Sequence, residues 1–346
     1  MKCSKQFWRF VKSKRSAGDF PNELFLNDRC SSDGSEICNL FNVHFGSAFL
    51  TNNTQSASSL SYTPASYDLN CVDISSFFIS VGKVKQYLKN LDISKGAGPD
   101  GIPPVFLRQC YAQLCYPLHL LFNHSLSTKA MPRIWKRSFV VPVFKSGDKH
   151  NIANYRPISK ICAIPKMFER IVYDFLFPLI RPHIIEQQHG FISHRSTETN
   201  LCEFLDYVLS SMEDGHQVDV VYTDYSKAFD RINFDILIEK LHGLGVHGDL
   251  LRWLESYVRD RSQAVTFNGF CSSFAPVPSG VPQGSHLGPM LFNIYVNDVS
   301  NVFRKSKFIM YADDKKVYKV IKSLNDCLEL QDDLNNLFVY CQNNLQ

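Results

Sequence analysis

Two short apolar runs, Phe308–Tyr311 and Val317–Val320, flank the adjacent acids Asp313 and Asp314, so this stretch is expected to form a hairpin with a doubly acidic tip. A third run, Val218–Asp224, also reads as a strand and also ends in an aspartate. If these strands are neighbours in one sheet, Asp224, Asp313 and Asp314 meet at one end of it. Carboxylates gathered so closely repel one another, and all stay ionised only with cations among them. Mg²⁺ suits such a set, because it takes hard oxygen ligands and keeps positions for water and phosphate oxygens. Two such ions about 3.5–4 Å apart activate an attacking hydroxyl and stabilise a departing pyrophosphate. The pair Asp332–Asp333, on a predicted last helix, is an internal control: its side chains are expected to diverge and face water.

With 346 residues, 45% of them hydrophobic and 20% charged, the chain has enough apolar surface to bury a sizeable core. Its net charge of +4 permits a nucleic-acid partner without requiring one. Basic residues crowd the start, from Lys2 to Arg15, and a middle segment holding Lys129, Arg133, Lys136, Arg137, Lys145 and Lys149. The eleven cysteines show no C-x-x-C pair or zinc spacing, so they read as small buried hydrophobes of a reducing compartment. No apolar run reaches about 18 residues and no cleavable leader is visible, which points to cytoplasm and nucleus and away from a membrane.

Residues 51–66, rich in Ser and Thr, read as a linker or exposed loop. Ser80 is a candidate N-cap for a helix carrying Val84, Tyr87, Leu88 and Leu91, and further helices are expected over Leu114–Leu126 and around Phe168–Leu179. Leu201, Phe204, Leu205, Val208 and Met212 mark another amphipathic helix. Phe139–Phe144 reads as a strand that Pro142 should confine to an edge or a two-stranded hairpin. Helices around Phe234–Leu241 and Leu250–Val258 lead to a hairpin, Gln263–Asn268 with Cys271–Val277, turning near Gly269. A glycine-rich loop, Ser279–Gly288, then opens onto another helix, and Ser323 with Asp326 forms a capping box for the last one.

VYTDYSKAFD (Val221–Asp230), SGVPQGSHLGP (Ser279–Pro289) and YADD (Tyr311–Asp314) resemble, in order and spacing, the three central palm motifs of reverse transcriptases. The finer resemblance is to non-LTR (LINE-like) retrotransposons of the jockey-like group. It rests on KGAGPDGIP (Lys95–Pro103), KSGD (Lys145–Asp148), NYRPIS (Asn154–Ser159), QHGF (Gln188–Phe191) and Arg195-Ser196-Thr197. The resemblance implies an α/β right-hand polymerase with fingers and palm, its antiparallel palm sheet backed by helices. Under it, Asp224 and Asp313 are metal-binding carboxylates, the Tyr225 carbonyl is a further ligand, and Asp314 stands close beside them. Mg²⁺ is the expected metal, as two ions, with Mn²⁺ as a substitute. Lys145 and Arg156 would hold the incoming triphosphate, and Gln283 would contact its sugar or base. Gly280 and Gly284 would let the backbone approach the nucleotide, and Phe229 would be the ring under the sugar that excludes a 2′-hydroxyl.

His286 and Met290 depart from the family pattern, where an apolar residue and leucine are usual. On this reading residues 1–79 are an N-terminal linker region, partly disordered. Residues 80–215 are the fingers-rich part, and 216–346 are a palm that stops before the thumb. The partners are an RNA template, a DNA primer and dNTPs, with an endonuclease domain upstream in the full-length polyprotein. The alternative is a truncated or co-opted nucleic-acid-binding remnant without processive activity.

Overall fold

The computed structural model describes residues 21, 23–50 and 73–345; the first basic cluster and the 51–66 linker lie outside them. Strands β1 (Leu24–Leu26) and β2 (Arg29–Ser31) form a hairpin, and helix α1 (Gly34–Gly46) follows. The Asp33 carboxylate caps α1 by accepting the Glu36 N–H at 2.8 Å. After α2 (Val81–Lys89), α3 (Pro104–Gln109) and α4 (Tyr111–Ser127) come strands β3 (Arg137–Phe144) and β4 (Tyr155–Ile161). Helices α5 (Ala163–Ile180) and α6 (Thr197–Glu213) lead to β5 (Gln217–Thr223). Helices α7 (Phe234–Gly243) and α8 (Gly248–Val258) precede β6 (Arg261–Phe267), β7 (Phe270–Cys271) and β8 (Ala275–Val277). The chain closes with α9 (Gly288–Tyr295), β9 (Lys307–Tyr311), β10 (Asp314–Ile321) and α10 (Leu324–Asn343).

Two larger sheets result. One has the order β5-β10-β9, all antiparallel; the other runs β4-β3-β6-β7, with β8 also on β6. β3 is antiparallel to β4 and parallel to β6, so it is neither an edge strand nor half of an isolated hairpin. Pro142 is accommodated because pairing with β6 ends at Val140; beyond it, β3 has only β4 as neighbour. β6, from the second half of the chain, is thus built into the sheet of the first half.

Ser80 caps α2 as expected, accepting the Lys83 N–H. The main core gathers Phe122, Trp135, Phe168 and Trp253, with Phe122 and Phe168 stacked at 4.4 Å between ring centres. A second core lies between α1 and the β3–β6 sheet, where Phe41 meets Tyr155 and Phe267. Residues 23–50, part of the stretch read as linker, therefore form a packed layer. The third core is small: Phe204 of α6 against Ile309 and Tyr318.

Two expectations fail here. On α6 the structure turns Asn200, Phe204 and Ser211 inward, so Leu201, Leu205 and Met212 are exposed rather than core-facing. Polar anchoring sets this rotation: Asn200 donates to the Met310 carbonyl at 3.0 Å and accepts from Lys316 Nζ at 2.9 Å. Asp333 does not face water either. It is 1% exposed and accepts the backbone N–H groups of Arg304, Lys305 and Ser306 at 3.0, 2.9 and 2.6 Å. The cysteines divide: Cys38, Cys115 and Cys162 are buried, but Cys30, Cys202 and Cys271 are exposed.

Candidate active site

The β5–β10 register places Thr223 opposite Lys315, so Asp224, one residue beyond Thr223, comes level with Asp314. Asp314 in turn pairs with Tyr311 across the tight Ala312-Asp313 turn of β9 and β10. The sheet therefore brings Asp224, Asp313 and Asp314 to one end. Burial raises the Asp313 pKa above its ordinary value, and the nearby charges of Asp224 and Asp314 raise it further, against the Arg156 guanidinium. Among the described residues, no three His, Cys, Asp or Glu side chains form a ready-made ligand cage. A pair of repelling carboxylates still fits Mg²⁺, which binds through one or two carboxylates and takes its other ligands from water and substrate phosphates.

Arg156 reaches this end from the other sheet. On β4 it pairs with Val143 of β3, and the face they share is solvent-exposed and also carries Ile158 and Val141. Lys145 follows the last β3 rung, exposed, its N–H bonded to the Asn154 carbonyl at 2.9 Å. The charge of Arg156 is felt at Asp313; for Lys145 only its place on the sheet rim is seen.

The glycine-rich loop is bonded to β4 and to the segment that follows β5. Its Gly280 N–H donates to the Ile232 carbonyl, Val281 N–H to Phe229, and the Gln283 carbonyl accepts from Ser159 of β4. The glycines are needed for these protein–protein crossings: a Cβ on Gly280 would sit 2.6 Å from the Phe229 carbonyl oxygen, and one on Gly284 2.9 Å from that of Ser159. Both also have positive φ, +84° and +114°. The Gln283 amide lies 3.5 Å from each carboxylate oxygen of Asp230, whose pKa burial pushes up to about 6. Phe229 stacks on the buried Phe292 at 4.8 Å and meets the exposed Phe191 edge-on at 5.8 Å, so one side of its ring is core and the rest is half-buried.

Beneath the site are groups that residue order did not single out. The Tyr225 side chain points inward, its hydroxyl accepting from Lys315 Nζ at 2.7 Å. Burial lowers the Lys315 pKa to about 8. Glu169 of α5, fully buried, accepts the His286 N–H at 3.0 Å and so anchors the glycine-rich loop from below. Burial raises its pKa to about 7, despite the Arg261 charge, and lowers that of His286 to about 4. A lone Glu within an amphipathic helix carries no local sign of such a role. No helix among the described residues is long and apolar enough to cross a membrane.

Residues 145–344 match the reverse transcriptase (RNA-dependent DNA polymerase) family. The chain is 28% identical over 278 residues to the probable RNA-directed DNA polymerase from transposon BS of Drosophila melanogaster, covering 76% of this chain and 30% of that protein. It is 28% identical over 256 residues to the RNA-directed DNA polymerase from mobile element jockey of the same fly, covering 71% and 28%. With the Pol polyprotein of the type-1 retrotransposable element R2 of Popillia japonica it shares 25% over 216 residues, 62% of this chain and 29% of that one. The chain thus spans less than a third of the length of these curated relatives. The match covers every one of the ten residues to which the motifs assign a role, together with the sheet that gathers the three aspartates, and on that match the chain belongs to the reverse transcriptase family.

Proposed function

We propose that this chain is the core of a non-LTR retrotransposon reverse transcriptase, an RNA-directed DNA polymerase that adds dNTPs to a primer 3′-hydroxyl on an RNA template. The reading divides it into a fingers-rich part, 80–215, and a palm, 216–346, after an N-terminal region, 1–79. Strand β6 belongs by sequence to the 216–346 part but pairs with β3 of the 80–215 part. One observation carries the reading: Asp224 and Asp313–Asp314 converge at one sheet end, where the Arg156 charge from the other sheet is felt at Asp313.

In this reading Asp224, Asp313 and the Tyr225 carbonyl hold two Mg²⁺ ions, or Mn²⁺ in their place, with Asp314 beside them. When bound, the ions supply activation of the 3′-hydroxyl and neutralise charge on the leaving pyrophosphate. Arg156 grips the triphosphate through its planar guanidinium, and Lys145 adds a mobile point charge at the sheet rim. Gln283 lies beside the nascent base pair, steadied by Asp230. Phe229, backed by Phe292, presents a rigid ring that a ribose 2′-hydroxyl would strike. The full-length protein would carry an endonuclease upstream and act in cytoplasm and nucleus.

Primer extension on poly(A)–oligo(dT) with Mg²⁺ tests the reading. Incorporation of dTTP that disappears on chelation is the expected result. A folded chain that binds the hybrid without extending it would favour the nucleic-acid-binding remnant instead.

A further inference from the structure

The QHGF segment has no role in the chemistry above, yet its first residue is held against the turn that bears Asp313. We propose that Gln188 is a positioning residue that locks the Ala312-Asp313 turn for nucleotidyl transfer; the proposal rests on the polymerase reading. The Gln188 side chain is 1% exposed. Its Oε1 accepts the N–H groups of Ala312 and Gly190, each at 2.8 Å, and its Nε2 donates to the Ala312 carbonyl at 3.2 Å. One amide therefore engages both polar groups of the residue preceding Asp313. Ala312 needs this, because its φ of +56° is a left-handed conformation costly for a residue with a Cβ.

The segment around Gln188 is itself fixed. His189 N–H donates to the Met310 carbonyl at 2.9 Å, and Met310 N–H to that of Gln187 at 2.8 Å, so this strap lies along β9. Gly190 crosses the turn where a Cβ would stand 2.2 Å from the Ala312 nitrogen, and its carbonyl accepts from buried Asn293 at 3.1 Å. Arg195 bonds the Gln188 carbonyl at 3.0 Å, tying the next motif to the same strap. A side chain so enclosed touches neither metal nor nucleotide; its effect passes through the backbone to the Asp313 carboxylate.

The test compares Gln188→Met, which fills similar space without hydrogen bonds, with Gln188→Glu, which keeps the two accepted bonds and loses the donated one. Hydrogen–deuterium exchange in the metal-free protein should show the Ala312 and Gly190 amides losing protection in Gln188→Met and keeping it in Gln188→Glu, with distant elements unchanged in both. On poly(A)–oligo(dT), kcat should fall on the order of 10²-fold in Gln188→Met, as expected for a misplaced ligand. KM for dTTP should stay within about 3-fold, since ground-state binding is spared, and Gln188→Glu should recover part of kcat. Unchanged turn protection or unchanged kcat in a folded Gln188→Met would overturn the proposal, as would a loss confined to KM. If Gln188→Met fails to fold, Gln188→Glu decides: lost turn protection overturns the proposal and retained protection supports it. A wild-type chain that extends no primer sinks the polymerase reading, and the exchange data then judge the clamp alone.

Discussion

Asp313–Asp314 and Asp332–Asp333 are the same dipeptide in two settings. At the second, Asp333 is surrounded by three backbone N–H groups, which hold its pKa below the ordinary value although burial works against ionisation. At the first, burial and two neighbouring carboxylates raise the pKa of Asp313. A buried carboxylate satisfied by amides is a structural tie, here joining α10 to the loop before β9. One set among its own kind keeps negative charge that the Arg156 guanidinium offsets only in part, and that is what a cation site needs. Acidity in the sequence does not separate the two; the supply of donors does.

The largest expected effect breaks the first member of the pair. Asp313→Asn should lower dNTP addition on the order of 10³-fold, about 4 kcal/mol of transition-state stabilisation. It should also raise the melting temperature at neutral pH, because it removes a charge the fold disfavours. Steady-state kinetics and a thermal melt check both, and a drop in melting temperature with activity intact would reverse the roles assigned to the two sites.

Asp333→Ala should do the opposite. Three N–H groups lose a charged acceptor, so about 3 kcal/mol of stability should disappear in urea unfolding, while each folded molecule keeps its polymerase rate.

Acid and base melts sharpen the contrast. Because the folded-state pKa of Asp333 is depressed, its contribution is present above the unfolded value of 3.8 and lost as pH falls through the lower folded value. Glu169 has the reverse sign. Its folded pKa is raised from 4.5 to about 7, so stability present below 4.5 is lost as pH rises through that interval. The loss should be on the order of 3–4 kcal/mol at about 1.4 kcal/mol per unit. Asp333→Asn should flatten the acid limb and Glu169→Gln the neutral one; unaltered limbs in both variants would show that neither carboxyl is coupled to folding as described. The smallest effect is the control: Asp332, exposed beside Asp333, should change stability by less than about 0.5 kcal/mol on conversion to Asn.

The α6 helix shows where sequence reasoning stops. Its apolar positions were legible, and so was its start at Ser196, which caps Thr199. The face it buries was not, because Asn200 bonds a strand 110 residues away and turns Leu201 and Leu205 outward. Pro142 tells the same story: its missing donor is visible in the sequence, but the parallel partner that ends just before it comes from β6.

What the sequence by itself determined were features of local origin. Strand alternation, the capping box of Ser323 with Asp326, and the motif order that puts Asp224 and Asp313–Asp314 at strand ends all follow from neighbours a few residues apart. Only the tertiary structure decided which acids are neutralised, which glycines face protein backbone, and that the Gln188 amide grips the Ala312 turn. Those outcomes depend on backbone donors and acceptors brought in from distant segments, and every residue type except proline carries the same amide, so no side-chain pattern announces which one will arrive.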